Sequence, residues 1–160
     1  MKLLAQAALL AIALIVDASL ALTLPLPGGR PLLFAAFATA VALREGALAG
    51  GAWGFGGGLG LGLLFADGRI GARALGGLLA GSVPIWFRRI VFVHRWTGQL
   101  AIGVVSGGLY GATLLAVSWA RGDVTGVVFP LLPWLALDAV LTGVAAPVFV
   151  RLLDVVERRV

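Results

Sequence analysis

The sequence predicts an all-α polytopic membrane protein with six transmembrane helices, and three observations carry that prediction. The chain of 160 residues is 61% hydrophobic and 12% charged, with a mean hydropathy of +1.07. A soluble domain of this size does not keep so little polar surface. Apolar runs alternate with short turns rich in Pro, Gly, Asp and Arg, leaving no visible linker or second domain. The third observation is residues 46–66, GALAGGAWGFGGGLGLGLLFA, apolar throughout, with glycine at 46, 50, 54, 58 and 62. In water each glycine inside a helix costs about 1 kcal/mol against alanine. In lipid the backbone has no water to bond, so an apolar segment of this length is driven into a helix.

In chain order, the first span is 3–24, preceded by Lys2. Ser19-Leu20-Ala21 resembles a signal-peptide cleavage site, but the apolar stretch is long for one and all that follows is apolar, which favours a retained helix. The segment 25–31 carries three prolines and two glycines and reads as a rigid turn. The second span, 31–43, is short, with three readings: a crossing at a thinned site, an extension through Arg44 by snorkelling, or a re-entrant segment. Arg44-Glu45 closes it, and the glycine-rich span 46–66 follows.

Asp67-Gly68-Arg69 forms a polar turn before the span 70–87, which carries a further close pair at Gly77 and Gly81. Residues 88–95 form a basic connector with an apolar middle, read as lying at headgroup level. The span 96–120 repeats the four-residue glycine spacing at Gly103, Gly107 and Gly111. The last span, 126–150, contains Pro130, Pro133 and Pro147. The tail, 151–160, reads as a short amphipathic cytoplasmic helix in which Asp154 and Arg158 are spaced to pair at i, i+4.

Glycines four apart form one ridge along a helix, a surface with no side chains that lets another backbone approach closely. The ridges at Gly46, Gly50, Gly54, Gly58 and Gly62 and at Gly103, Gly107 and Gly111 therefore either pack neighbouring helices of the same chain or receive a partner's helix. The first reading is favoured.

Orientation follows from the basic residues. With six spans and the N-terminus inside, Lys2, Arg44, Arg88, Arg89, Arg95, Arg151, Arg158 and Arg159 fall on the cytoplasmic side. Arg30, Arg69, Arg73 and Arg121 fall outside, so the count is eight against four. A five-span arrangement with the N-terminus outside gives the same ratio, so the C-terminus is the better-placed end. The five tryptophans lie mostly toward helix ends, as interfacial anchors do.

Few residues offer chemistry. Asp138 lies near the middle of the last span and Asp17 in the outer half of the first. A carboxylate at such depth costs about 2.5–3.5 kcal/mol on insertion scales and needs a partner, protonation or water. Each is either an ion or proton site or a hydrogen-bonded tie between helices, and the tie is favoured. Thr142, Gln99, Ser106 and Ser118 are candidate partners for Asp138. The absence of cysteine excludes disulfides and thiolate metal sites, and a single histidine, His94, leaves little for an imidazole site. The glycine runs lack the lysine and Ser/Thr of a phosphate loop, and no Ser–His arrangement or HExxH is present. An enzyme, a metal or a cofactor is not expected, and the high isoelectric point reflects basic helix ends rather than nucleic-acid binding.

Two stretches carry a family resemblance. One is the Gly-Leu-rich third span running into Gly68-Arg69-Ile70-Gly71-Ala72-Arg73-Ala74-Leu75. The other is Thr142-Gly143-Val144-Ala145-Ala146-Pro147-Val148-Phe149 with its basic tail. Together they resemble the rod shape-determining protein MreD family over nearly the whole chain. Members often carry an aspartate within the third helix, where this chain has Leu63-Leu64, with Asp67 three residues beyond. The resemblance implies a six-helix fold similar to the substrate-binding subunits of energy-coupling-factor transporters. It also implies a scaffold role in the bacterial inner membrane, binding an MreC-like single-span protein. RodA glycosyltransferase, a class B penicillin-binding protein and MreB would be the wider partners in peptidoglycan synthesis. Arg88, Arg89 and Arg95 would face cytoplasmic partners or anionic lipid. The alternative on the same fold is a vitamin-binding transporter subunit, which the scarcity of polar residues in the spans disfavours.

Overall fold

The computed structural model describes residues 2–23, 32–65, 68–87, 95–122 and 128–159. These residues are helical apart from short turns: α1 (Lys2–Thr23), α2 (Leu33–Glu45), α3 (Ala47–Phe65), α4 (Ile70–Ser82), α5 (Pro84–Phe87), α6 (Trp96–Ala120) and α7 (Val128–Arg159). Five segments are long and apolar enough to cross a membrane: Lys2–Leu20, Ala47–Phe65, Ile70–Phe87, Trp96–Ala120 and Leu132–Val156. The chain is thus a multi-pass membrane protein by helix length and hydropathy. Its large exposed side chains are apolar along the helix flanks, including Leu48, Leu63, Val144 and Val148. Exposed tryptophans stand near the ends of the bundle, Trp86 and Trp96 at one and Trp119 at the other.

The short helix α2 is the centre of the molecule. Every residue from Phe34 to Leu43 is buried, and α2 touches α1, α3, α4, α6 and α7. Its composition explains this: five alanines in AAFATAVA let neighbours close in on all sides, and a helix apolar all round belongs inside. Its two phenylalanines make the longer contacts. Phe34 meets Tyr110 of α6 edge-on at 5.2 Å between centroids. Phe37 meets Trp53 of α3 and Phe149 of α7, each at 5.9 Å. At about 1.5 Å per residue α2 is about 20 Å long, short of a lipid core of about 30 Å. Protein rather than acyl chain surrounds it, so its length need not match the bilayer.

α2 runs antiparallel to α1, with its first turn beside Asp17 and its last residue beside Gln6. It therefore runs back along α1, buried within the bundle. Glycine ends it: Gly46 adopts φ +106°, its N–H bonds the Ala42 carbonyl at 3.0 Å, and α3 starts back the other way. The rigid turn expected at 25–31 lies outside the described residues, as do Asp67, Asp123 and the connector 88–94 with His94.

At the C-terminus the tail continues the last helix, as α7 runs unbroken through Pro133 and Pro147 to Arg159. Leu153 is 1% exposed within the core, and Asp154 reaches Arg44 of α2 across the bundle.

Candidate functional site

The glycine ridge of α3 is filled by α4. A Cβ added at Gly50 would lie 2.6 Å from the Gly81 carbonyl oxygen, at Gly54 2.8 Å from the Gly77 carbonyl carbon, at Gly58 2.9 Å from Ala74 Cα, and at Gly62 2.8 Å from Ile70 Cα. The two helices run antiparallel in close backbone contact, and the opposing positions recur every four residues on α3 and every three or four on α4. Gly46 does not belong to this ridge. It lies outside the helix with nothing within 4 Å of an added Cβ, and its role is the turn between α2 and α3. Residues 50–62 of the ridge leave no space for a further helix.

The second ridge packs α6 on α7. A Cβ at Gly103 would approach Gly143 Cα and Ala146 Cβ at 2.8 Å. At Gly107 it would approach Ala139 Cα at 3.0 Å, and at Gly111 Leu135 Cδ2 at 2.7 Å. Two further glycines, absent from the four-residue pattern, make room for aromatic rings: Gly57 for Phe34 and Gly76 for Tyr110. Sequence spacing does not reveal these, because the ring that occupies each gap comes from another helix.

Asp17 caps a helix it does not belong to. Its Oδ1 accepts the Leu33 N–H at 2.9 Å and its Oδ2 the Phe34 N–H at 3.0 Å, the first two amides of α2. The residue before α2, Leu32, has no side chain able to cap, and its own N–H donates to Thr142 Oγ1 on α7 at 3.1 Å. The Thr142 hydroxyl donates in turn to the Asp138 carbonyl at 2.6 Å. Side chains of α1 and α7 therefore satisfy amides that a buried helix start would otherwise leave open. A carboxylate also suits the positive end of the helix dipole. Each such bond contributes about 1–3 kcal/mol where the alternative is an unmet buried amide.

The opposite end of α2 carries ions. Glu45 Oε1 takes Lys2 Nζ at 3.1 Å and a hydrogen bond from Gln6 Nε2, both on α1. Arg44 Nη1 stands 2.6 Å from Asp154 Oδ1. Both ends of the central helix are thus tied to α1 and α7 by polar side chains.

Asp138 is half-buried on α7. The bond that Thr142 makes to it goes to its main-chain carbonyl. Among the candidate partners, Ser106 is fully buried and its Oγ has no hydrogen-bond partner among the described residues. Arg95 is exposed at the start of α6, whereas Arg88 and Arg89 lie outside the described residues. Among the described residues no three His, Cys, Asp or Glu side chains gather as a metal site would require.

At the Glu45 end, a cavity of about 530 Å³ opens between the start of α6 and the last third of α7, lined in part by Arg95, Gln99, Arg151 and Asp154. No protein-family model, curated protein or solved structure matches this chain.

Proposed function

We propose that this chain is a non-catalytic scaffold subunit of the bacterial cell-elongation machinery, resembling the MreD family in the stretches 68–75 and 142–149. It sits in the inner membrane as six spans, with a fold similar to the substrate-binding subunits of energy-coupling-factor transporters, and supports peptidoglycan synthesis by binding an MreC-like single-span partner. RodA glycosyltransferase, a class B penicillin-binding protein and MreB are its wider partners.

One observation carries the reading. Asp17, Thr142, Gln6 and Glu45 hold helix ends to one another, and the outward flanks are apolar. A molecule built this way offers shape and lipid-facing surface to a partner helix. Alternation of six helices puts Lys2, Arg44, Arg95, Arg151 and Arg158 at one end and Arg69, Arg73 and Arg121 at the other, which supports both termini being cytoplasmic. The partner's helix docks on a lipid-facing flank, since α4 occupies the ridge of α3.

Co-purification of the tagged chain from its own host in mild detergent tests this. Recovery of a single-span cell-wall protein with its synthase is the expected result. Recovery of an ATPase pair with a coupling subunit would replace the scaffold with the vitamin-binding transporter subunit.

A further inference from the structure

We propose that the cavity between the first turn of α6 and the last third of α7 binds an anionic phosphate group, supplied by the headgroup of an acidic phospholipid. The inference stands apart from the scaffold reading and needs only the local geometry.

The cavity is lined by Arg95, Trp96, Thr97 and Gln99 from α6 and by Arg151 and Asp154 from α7, and its volume is about 530 Å³. Arg95 holds an extended conformation at the start of α6 (φ −90°, ψ 142°), where no side chain caps the first turn and no acidic residue stands in it. The positive end of a 25-residue helix therefore borders the cavity together with guanidinium groups from two helices. The carboxylate of the lining, Asp154, is ion-paired with Arg44 at 2.6 Å. Within the lining, Arg95 and Arg151 against Asp154 give 2 − 1, a net charge of +1, and the Asp154 carboxylate is already taken by Arg44. Planar guanidinium forks match phosphate oxygens in both charge and geometry.

The surroundings select a lipid as the source. Arg151 is flanked on α7 by Val148, Leu152 and Val155, all exposed and apolar, and Trp96 is 63% exposed at the mouth. An apolar wall beside a basic cavity at a helix end receives acyl chains and headgroup together. Thr97 and Gln99 supply polar side chains for the glycerol end of the headgroup.

The full chain in uncharged detergent, titrated with short-chain phosphatidylglycerol, the matching phosphatidylcholine, and glycerol phosphate, tests the site. Tryptophan fluorescence and the count of lipids retained in native mass spectrometry are the readouts. Saturable binding of phosphatidylglycerol is expected, with R95Q and R151Q each weakening it about tenfold, as loss of one charge-assisted bond does. R158Q, a change at an exposed arginine outside the lining, is expected to leave binding unchanged. Equal weakening by R158Q and R151Q would mean diffuse surface attraction and overturn the site, as would unchanged affinity in the R95Q/R151Q double variant. Glycerol phosphate binding as tightly as the lipid would overturn the lipid source. Thermal midpoints of all variants check that each remains folded.

Discussion

Gly54 of α3 and Gly77 of α4 meet backbone to backbone, each placed so that a Cβ on one would strike the carbonyl group of the other. No flexible side chain stands between them to move aside. Gly54→Ala and Gly77→Ala are each expected to destabilise the bundle by about 1–3 kcal/mol or more, as overpacking does. Gly56→Ala is the control, because Gly56 is exposed on the same helix with nothing near its added methyl. Alanine's better helix propensity should leave that variant as stable as the parent or slightly more so. Thermal unfolding in detergent compares them, and equal midpoints for the variants at 54 and 56 would refute the contact.

Phe34 and Gly57 form a second tight fit, with the ring 2.8 Å from where a Cβ at 57 would stand. Gly57→Ala alone should therefore cost stability, and Phe34→Ala, which empties a fully buried site, should cost about 3–5 kcal/mol. In the Phe34→Ala background the change at 57 has room. A double-mutant cycle should show coupling of about 0.5–3 kcal/mol, with the two effects less than additive. Strict additivity would mean that the ring and the glycine are not in contact.

Asp17 should be sensitive to charge-neutral replacement. Asn keeps one acceptor oxygen and turns an NH2 toward an amide donor, so Asp17→Asn is expected to lose one of the two bonds and about 1–3 kcal/mol. Asp17→Ala loses both. Hydrogen exchange at Leu33 and Phe34 should quicken in each variant while α6 is unaffected, and unchanged protection there would reject the capping role. Asp138→Asn, on the half-buried face of α7, is expected to preserve both fold and function. On the proposed scaffold role, loss of cell-shape complementation at normal protein levels would instead make Asp138 an ion site.

Arg44 and Asp154 sit closer than most surface pairs, but Asp154 is 46% exposed. Their coupling in a double-mutant cycle should be about 0.2–1 kcal/mol and should shrink as salt is added. The exchange Arg44→Asp with Asp154→Arg should recover most of what either single change loses. Failure of that rescue would leave the contact without energetic weight.

The helices themselves are legible in the sequence, since apolar runs and punctuating Gly, Pro, Asp and Arg mark the long ones. The pairing of α3 with α4 is half legible: Gly50, Gly54, Gly58 and Gly62 announce a close approach, and only the fold names Gly81, Gly77, Ala74 and Ile70 as what approaches. Gly46 fits the same spacing by coincidence and serves the turn instead. The centrality of α2 is hidden, because a short alanine-rich run carries neither the length of a span nor an apolar face to orient it. Asp17 reads from sequence as a buried carboxylate wanting a partner. Which amides it meets depends on the register between α1 and α2, which spacing along either helix does not encode. The same holds for Asp154, whose nearest opposite charge by i, i+4 spacing is Arg158 and whose partner in space is Arg44.

Thr142 accepts from the amide that leads into the second helix, yet it lies 110 residues further along the chain. During insertion the Leu32 amide is without this partner until α7 has been synthesised. Closure of the bundle is therefore a late step in biogenesis, and a chain truncated before residue 142 would leave its innermost helix with an unfinished start.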